Sequence, residues 1–141
     1  MSRYIVKVIC GVFTREEDML APGKYWTAIN VYNPSREKDA KLRIHIAIAD
    51  PVKVGSAVTT GPSFDVPPDP LYLEPGKALE IDCEYIKTNA GKIGGHNKEY
   101  LKGFLVIEND FELDVVAVYT AAGQGGTVVT LHTERVLPRD N

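Results

Sequence analysis

The stretch Lys102–Thr120, KGFLVIENDFELDVVAVYT, decides the fold class. Two apolar runs are separated by Glu108-Asn109-Asp110, and the chain is almost continuously hydrophobic after that turn. Short apolar runs rich in valine, isoleucine and aromatics, bounded by a polar turn, read as strands buried on both faces. Two such strands meeting at a turn predict an all-β protein. The same stretch supplies no nucleophile, metal-ligand set or phosphate-binding loop.

Working outward, Lys41–Ala49 alternates strictly: Leu42, Ile44, Ile46 and Ile48 fall on one face, and Lys41, Arg43, His45, Ala47 and Ala49 on the other. A period of two is the signature of a strand with one face buried. Tyr4–Phe13 and Tyr25–Tyr32 are β-branched and aromatic, and the Ala21-Pro22-Gly23-Lys24 turn precedes the second of them. Glu74-Pro75-Gly76-Lys77 leads into Ala78–Cys83, where Asp82 is placed to cap one helical turn over Cys83–Thr88. Thr127–Val136 reads as the last strand, after a Gly123-Gln124-Gly125-Gly126 hairpin loop. Five prolines in Val52–Pro75 (Pro62, Pro67, Pro68, Pro70, Pro75) exclude a helix or a central strand. That segment is expected to be irregular, with at most a short strand at Ala57–Thr60, and to serve as a binding loop or assembly arm. Asn89–Glu99, with three glycines, reads as a surface loop.

With seven to eight strands and no long helix, the expected architecture is an immunoglobulin-like antiparallel β-sandwich, one domain over residues 1–141. Its expected core is Leu42, Ile44, Ile46, Ile48, Leu79, Ile81, Phe104, Val106, Val115, Ala117 and Tyr119.

Hydrophobic residues make up 44% of the 141 and charged residues 25%, the balance of a globular domain. A net charge of -3 with scattered basic residues gives no footprint for nucleic acid and no polybasic membrane patch. No run approaches the length of a membrane span, and the N-terminal MSRYIVKVICGVF, interrupted by Lys7, reads as a first strand. Cys10 and Cys83 sit in apolar runs and are expected as buried free thiols, consistent with a cytoplasmic location.

No constellation for catalysis emerges, so a non-enzymatic module without cofactor or metal is expected. His45, His96 and His132 lack ligand-pair spacing; a zinc site from His45, His132 and a cysteine competes with the simpler reading of solvent-facing strand residues. Glu108, Asp110, Glu112 and Asp114 crowd one turn, where solvated acids normally sit. Gly91-Lys92-Ile93-Gly94-Gly95 lacks the lysine-serine/threonine ending of a phosphate loop. The residues that remain as interface or ligand contacts are Tyr25, Trp26, Tyr72, Tyr85 and Tyr100, with His96 in a glycine-flanked loop. Sequence reasoning therefore expects a homo-oligomer built through sheet faces and the proline-rich arm, open to a protein partner. A small-molecule or carbohydrate-binding module is the competing expectation.

Leu73–Ile86, Leu101–Ala121, His132–Arg139 and Thr27–Pro34 together resemble a group of short uncharacterised bacterial all-β proteins, which implies a fold and no activity. Asn33–Gly55 and Phe104–Thr120 are similar to the polar turn, alternating strand and final core strands of the sensory rhodopsin transducer family. That resemblance implies a small cytosolic sandwich that forms tetramers and signals from a membrane receptor. The chain departs from the family at its N-terminus and in Val58–Pro70 and Asn89–Tyr100, and no binding residue is carried over.

Overall fold

The alternating and two-sided apolar runs do form strands. A computed structural model of the chain describes residues 1–14, 20–57, 60–123 and 129–140. In chain order the strands are β1 (Ser2–Phe13), β2 (Gly23–Tyr32), β3 (Ala40–Ile48), β4 (Ser63–Leu73), β5 (Ala78–Asp82), β6 (Tyr100–Asn109), β7 (Asp114–Ala122), β8 (Val129–Val136) and the two-residue β9 (Arg139–Asp140). One helix, α1 (Cys83–Lys92), follows β5. The pairing path is β4-β3-β6-β1-β2-β7-β8, with β5 on β2 and β9 on β1, all antiparallel.

The path folds over at β1. This strand pairs with β6 along Ser2–Gly11 but with β2 only along Gly11–Phe13. Gly11 sits at φ +110, and a Cβ there would run into the Glu99 carbonyl, so the crossover requires glycine. Just before it, Thr27 Oγ1 takes a hydrogen bond from Ile9 N and returns one to Ile9 O, at 2.9 and 3.0 Å. The result is sandwich-like: a β4-β3-β6-β1 layer faces a β5-β2-β7-β8 layer across one core. Tyr4, fully buried, ties the layers by donating to Leu113 O and accepting from Leu113 N, at 2.9 and 2.6 Å.

Leu42, Ile44, Ile46, Ile48, Ile81, Val115 and Ala117 are buried as the alternation predicts, with Leu79 and Tyr119 packed at the margin. The phase of β6 is the reverse of that expected. Leu101, Leu105 and Ile107 fill the core, while Phe104 is 41% exposed and Val106 faces outward. Both parities of FLVI are apolar, so period alone carries no phase information. The register is set by the neighbours, with Ile5 opposite Val106 and Ala47 opposite Phe104.

Three further expectations are corrected. The proline-rich segment is not a free arm, since Ser63–Leu73 forms an edge strand on β3. Its pairing runs Ala40–Leu42 against Leu71–Leu73, then resumes at Ile44–Ala47 against Ser63–Val66. Pro67, Pro68, Asp69 and Pro70 are displaced at the irregularity between, where a proline needs no ladder donor. The strand expected near Ala57–Thr60 falls partly on residues 58–59, and the Gly123–Gly126 hairpin loop mostly on 124–128, outside the described residues.

The helical turn expected over Cys83–Thr88 continues to Lys92. Asp82 caps it as expected, accepting from Tyr85 N at 3.0 Å, and Cys83, Ile86 and Ala90 form a buried stripe. Finally, Cys10 and Cys83 are not free thiols but a disulfide, with Cα atoms 5.5 Å apart. It staples the crossover strand β1 to the start of α1, spanning 73 residues of chain. Neither neighbourhood carries a sequence signal for pairing; only the fold brings Ile9-Cys10 against Thr27 and Cys83. No described helix is long and apolar enough to cross a membrane.

Candidate functional site

The face of α1 that turns away from the core carries Glu84, Lys87, Thr88 and Gly91, spaced i, i+3, i+4 and i+7. These residues separate and join two recesses. The first, of about 510 Å³, lies between the helix start and β2 and is lined by Trp26, Ala28, Asp82, Glu84, Lys87 and Thr88 among others. The second, of about 470 Å³, lies at the helix end and is lined by Lys87, Thr88, Gly91, Lys92, His96, Asn97 and Lys98. Lys87 and Thr88 belong to both, so the two form one groove along the helix.

The ends of the groove differ chemically. Asp82, Glu84 and the half-exposed Trp26 give one end an aromatic surface beside carboxylates. The other end holds three lysines and a histidine, with no carboxylate in its lining among the described residues. That end is shaped by the chain's own hydrogen bonds. His96 N donates to Ala90 O at 2.9 Å, folding the glycine loop over the helix terminus. The His96 ring Nε2 lies 3.0 Å from Tyr100 O, so Nε2 carries the proton there. Lys87 Nζ donates to Glu99 O at 2.9 Å, and Lys98 Nζ lies 5.8 Å over the Tyr100 ring.

Of the six residues expected as contacts, the groove therefore takes Trp26 and His96. Tyr25 and Tyr100 instead pack on Phe13, at ring distances of 5.2 and 4.9 Å, closing one end of the sandwich. Tyr85 packs against the core, where burial pushes its phenol up from the ordinary value. Tyr72 stands 60% exposed on β4 opposite Lys41, far from the others in the pairing order.

Lys87 falls in the single expected helical turn and Lys92 and Lys98 in the expected loop, so the sequence alone does not bring the three together. Glu84, Lys87 and Thr88 share a face already within the expected turn, and Gly91 joins it because the helix continues past Thr88.

A second polar cluster lies on the β3–β4 pair. His45 Nδ1 is 2.7 Å from Asp65 Oδ1, and its Nε2 is 2.6 Å from Ser63 Oγ. In the sequence His45 stands alone, because both of its partners come from β4 and only the fold brings them to it. The order serine–histidine–aspartate is that of a nucleophilic triad. Yet it lies on open sheet, the side chains of His45 and Asp65 being 37% and 79% exposed, where water screens any developing charge.

His132 sits on β8, at the opposite end of the pairing order from His45 on β3. Its ring stacks on Tyr119 at 6.2 Å. Among the described residues no group of three His, Cys, Asp or Glu side chains is placed to hold a metal ion.

No protein-family model matches the chain, and no curated protein matches it. A solved structure is similar, a Thermotoga maritima protein known by the number 1070: 15% identical, with a TM-score of 0.54, covering 96% of this chain and 92% of that one. At that identity the likeness concerns the fold alone.

Proposed function

We propose that the protein is a non-enzymatic interaction module that associates with a second copy of itself through the outer face of the β5-β2-β7-β8 layer. One observation carries this reading: that face exposes large apolar side chains among polar ones. Its rows, read across paired strands, are Trp26–Thr120–Leu131, Ala28–Val118–Thr133 and Asn30–Val116–Arg135, with Val129 beside Ala122. Leu131 and Val129 are each 68% exposed and Trp26 44%. Contiguous exposed apolar surface of this kind is a mark of an association site.

A second copy fits by charge. Glu80 and Asp82 project from β5 at one margin of the face, in the rows of Asn30 and Ala28, and Arg135 projects from β8 at the other. A two-fold axis parallel to the strands, between β2 and β7, sets Glu80 opposite the other copy's Arg135 twice, with Val116 opposite the other copy's Asn30 between them. Such self-complementarity is what a closed isologous dimer requires. The arm expected to dock on a neighbour has no part in this, because it is spent on pairing with β3. The disulfide removes the ground for expecting a reducing compartment and favours one where thiols oxidise.

Sedimentation velocity at micromolar concentration tests the reading. The intact chain is expected to sediment as a dimer and Leu131→Lys as a monomer with unchanged circular dichroism. A monomeric intact chain overturns it.

A further inference from the structure

The groove along α1 has an occupant written into its two ends. We propose that it binds a phosphorylated sugar, with the ring against Trp26 and the phosphate held by Lys87, Lys92 and Lys98. This goes beyond self-association: the sugar end shares Trp26, Ala28 and Asp82 with the face assigned to the second copy, so the ligand and the second copy compete for it.

At the basic end, three lysines and His96 line one recess, with no carboxylate in its lining among the described residues. A set of like charges gathered around one concavity is stabilised by an anion, and lysine serves as a point-charge phosphate binder. The end is also pre-arranged. Lys87 is held by the Glu99 carbonyl, and Lys98 lies against the Tyr100 ring. The loop carrying His96 is fixed to the helix by the His96 N to Ala90 O bond. Less side-chain freedom is then lost on binding.

At the other end the chemistry is different. An indole face beside two carboxylates is suited to a ring that presents C–H faces to the aromatic and O–H groups to Asp82 and Glu84. Carboxylates accept and do not donate, and the hydroxyl groups of a sugar ring supply donors to both Asp82 and Glu84. The helix sets the spacing: from Glu84 to Gly91, seven residues at 1.5 Å each, is about 10 Å, one monosaccharide with its phosphate. A ligand with both features places each on the matching end; inorganic phosphate or a plain sugar reaches only one.

Isothermal titration with ribose 5-phosphate, glucose 6-phosphate, glucose 1-phosphate, glucose, AMP and inorganic phosphate, at fixed ionic strength, tests this. At least one sugar phosphate is expected to bind about tenfold or more tighter than both glucose and inorganic phosphate, one additional charge-assisted contact set. Lys92→Ala and Lys98→Ala, both on exposed side chains, are expected to weaken that sugar phosphate about tenfold. Glu84→Gln is expected to weaken it while leaving inorganic phosphate unchanged. The binding should persist in Leu131→Lys, which separates it from self-association, a control that Trp26 cannot provide because it borders both surfaces. AMP binding tighter than every sugar phosphate, no sugar phosphate binding above inorganic phosphate, or full affinity in both lysine variants overturns the proposal.

Discussion

The two margins of the folded sheet are built on opposite plans. At the β4 margin the outermost strand carries Pro67, Pro68 and Pro70, is broken by an irregularity against β3, and is tied inward by Arg43–Asp69 at 3.5 Å and by His45 to Asp65 and Ser63. At the β8 margin, Val129–Val136 has no proline, pairs with β7 without interruption, and is exposed along its length except at Val136. Prolines and bulges at an edge strand are the ordinary devices that stop a sheet from pairing with its neighbours. The bare margin belongs to the layer whose outer face is proposed to take the second copy, so the contrast supports that reading. The proline-rich segment, which looks in the sequence like the assembly element, is instead an interrupted edge strand of the kind that discourages further pairing.

The disulfide joins the layer of one margin to the layer of the other, so breaking it is the harshest test of the contrast. Closing a loop of 73 residues restricts the unfolded chain by about 4 kcal/mol in the chain-entropy treatment. Cys10→Ser with Cys83→Ser, or reduction of the native chain, is expected to lower unfolding stability by about that much. Urea unfolding with and without reductant measures it, and Ellman titration of the denatured, unreduced chain should find no thiol. Two reactive thiols, or a midpoint unmoved by reductant, would show that the layers hold together by packing alone.

Side-chain truncation on each plan sharpens the comparison. Ile46, 1% exposed between the layers on β3, is expected to lose about 2–5 kcal/mol on change to alanine, from lost transfer energy and the cavity left behind. Leu131, at the bare margin, is expected to lose no more than about 0.5 kcal/mol in the monomer. Should Leu131→Ala destabilise the monomer as much as Ile46→Ala, β8 is part of the core and its exposure has another cause.

How much of this was legible in the sequence follows from which signals are local. Alternation in Lys41–Ala49 gave the face of β3, and Asp82 gave the helix start, because each is decided by residues next to one another. The phase of β6 was not legible, since both faces of FLVI are apolar and only the register with β1 and β3 chooses between them. The strand at Ser63–Leu73 was hidden by prolines that exclude a central position but not an edge. The disulfide, the groove and the His45 cluster all join residues distant in sequence, and became visible only with the fold. Trp26 and His96 stand out by residue type alone, and nothing in the sequence shows that one helix face connects their recesses.

The smallest expected effect lies at the closed margin, and it bears on what the serine–histidine–aspartate order means. If the cluster is an edge tie, Ser63→Ala removes one exposed hydrogen bond from His45 and lowers stability by about 0.5–1 kcal/mol. His45→Ala removes both of its bonds and shifts stability by little more, since each is open to water. Neither change should alter oligomeric state, because the prolines and the irregularity still blunt the β4 edge. If the cluster is instead a nucleophilic centre, the intact chain hydrolyses an activated ester such as p-nitrophenyl acetate faster than Ser63→Ala does, in proportion to protein concentration. Equal rates keep the tie as the reading. A serine-dependent rate replaces it with an enzyme, and turns the closed margin into the functional one.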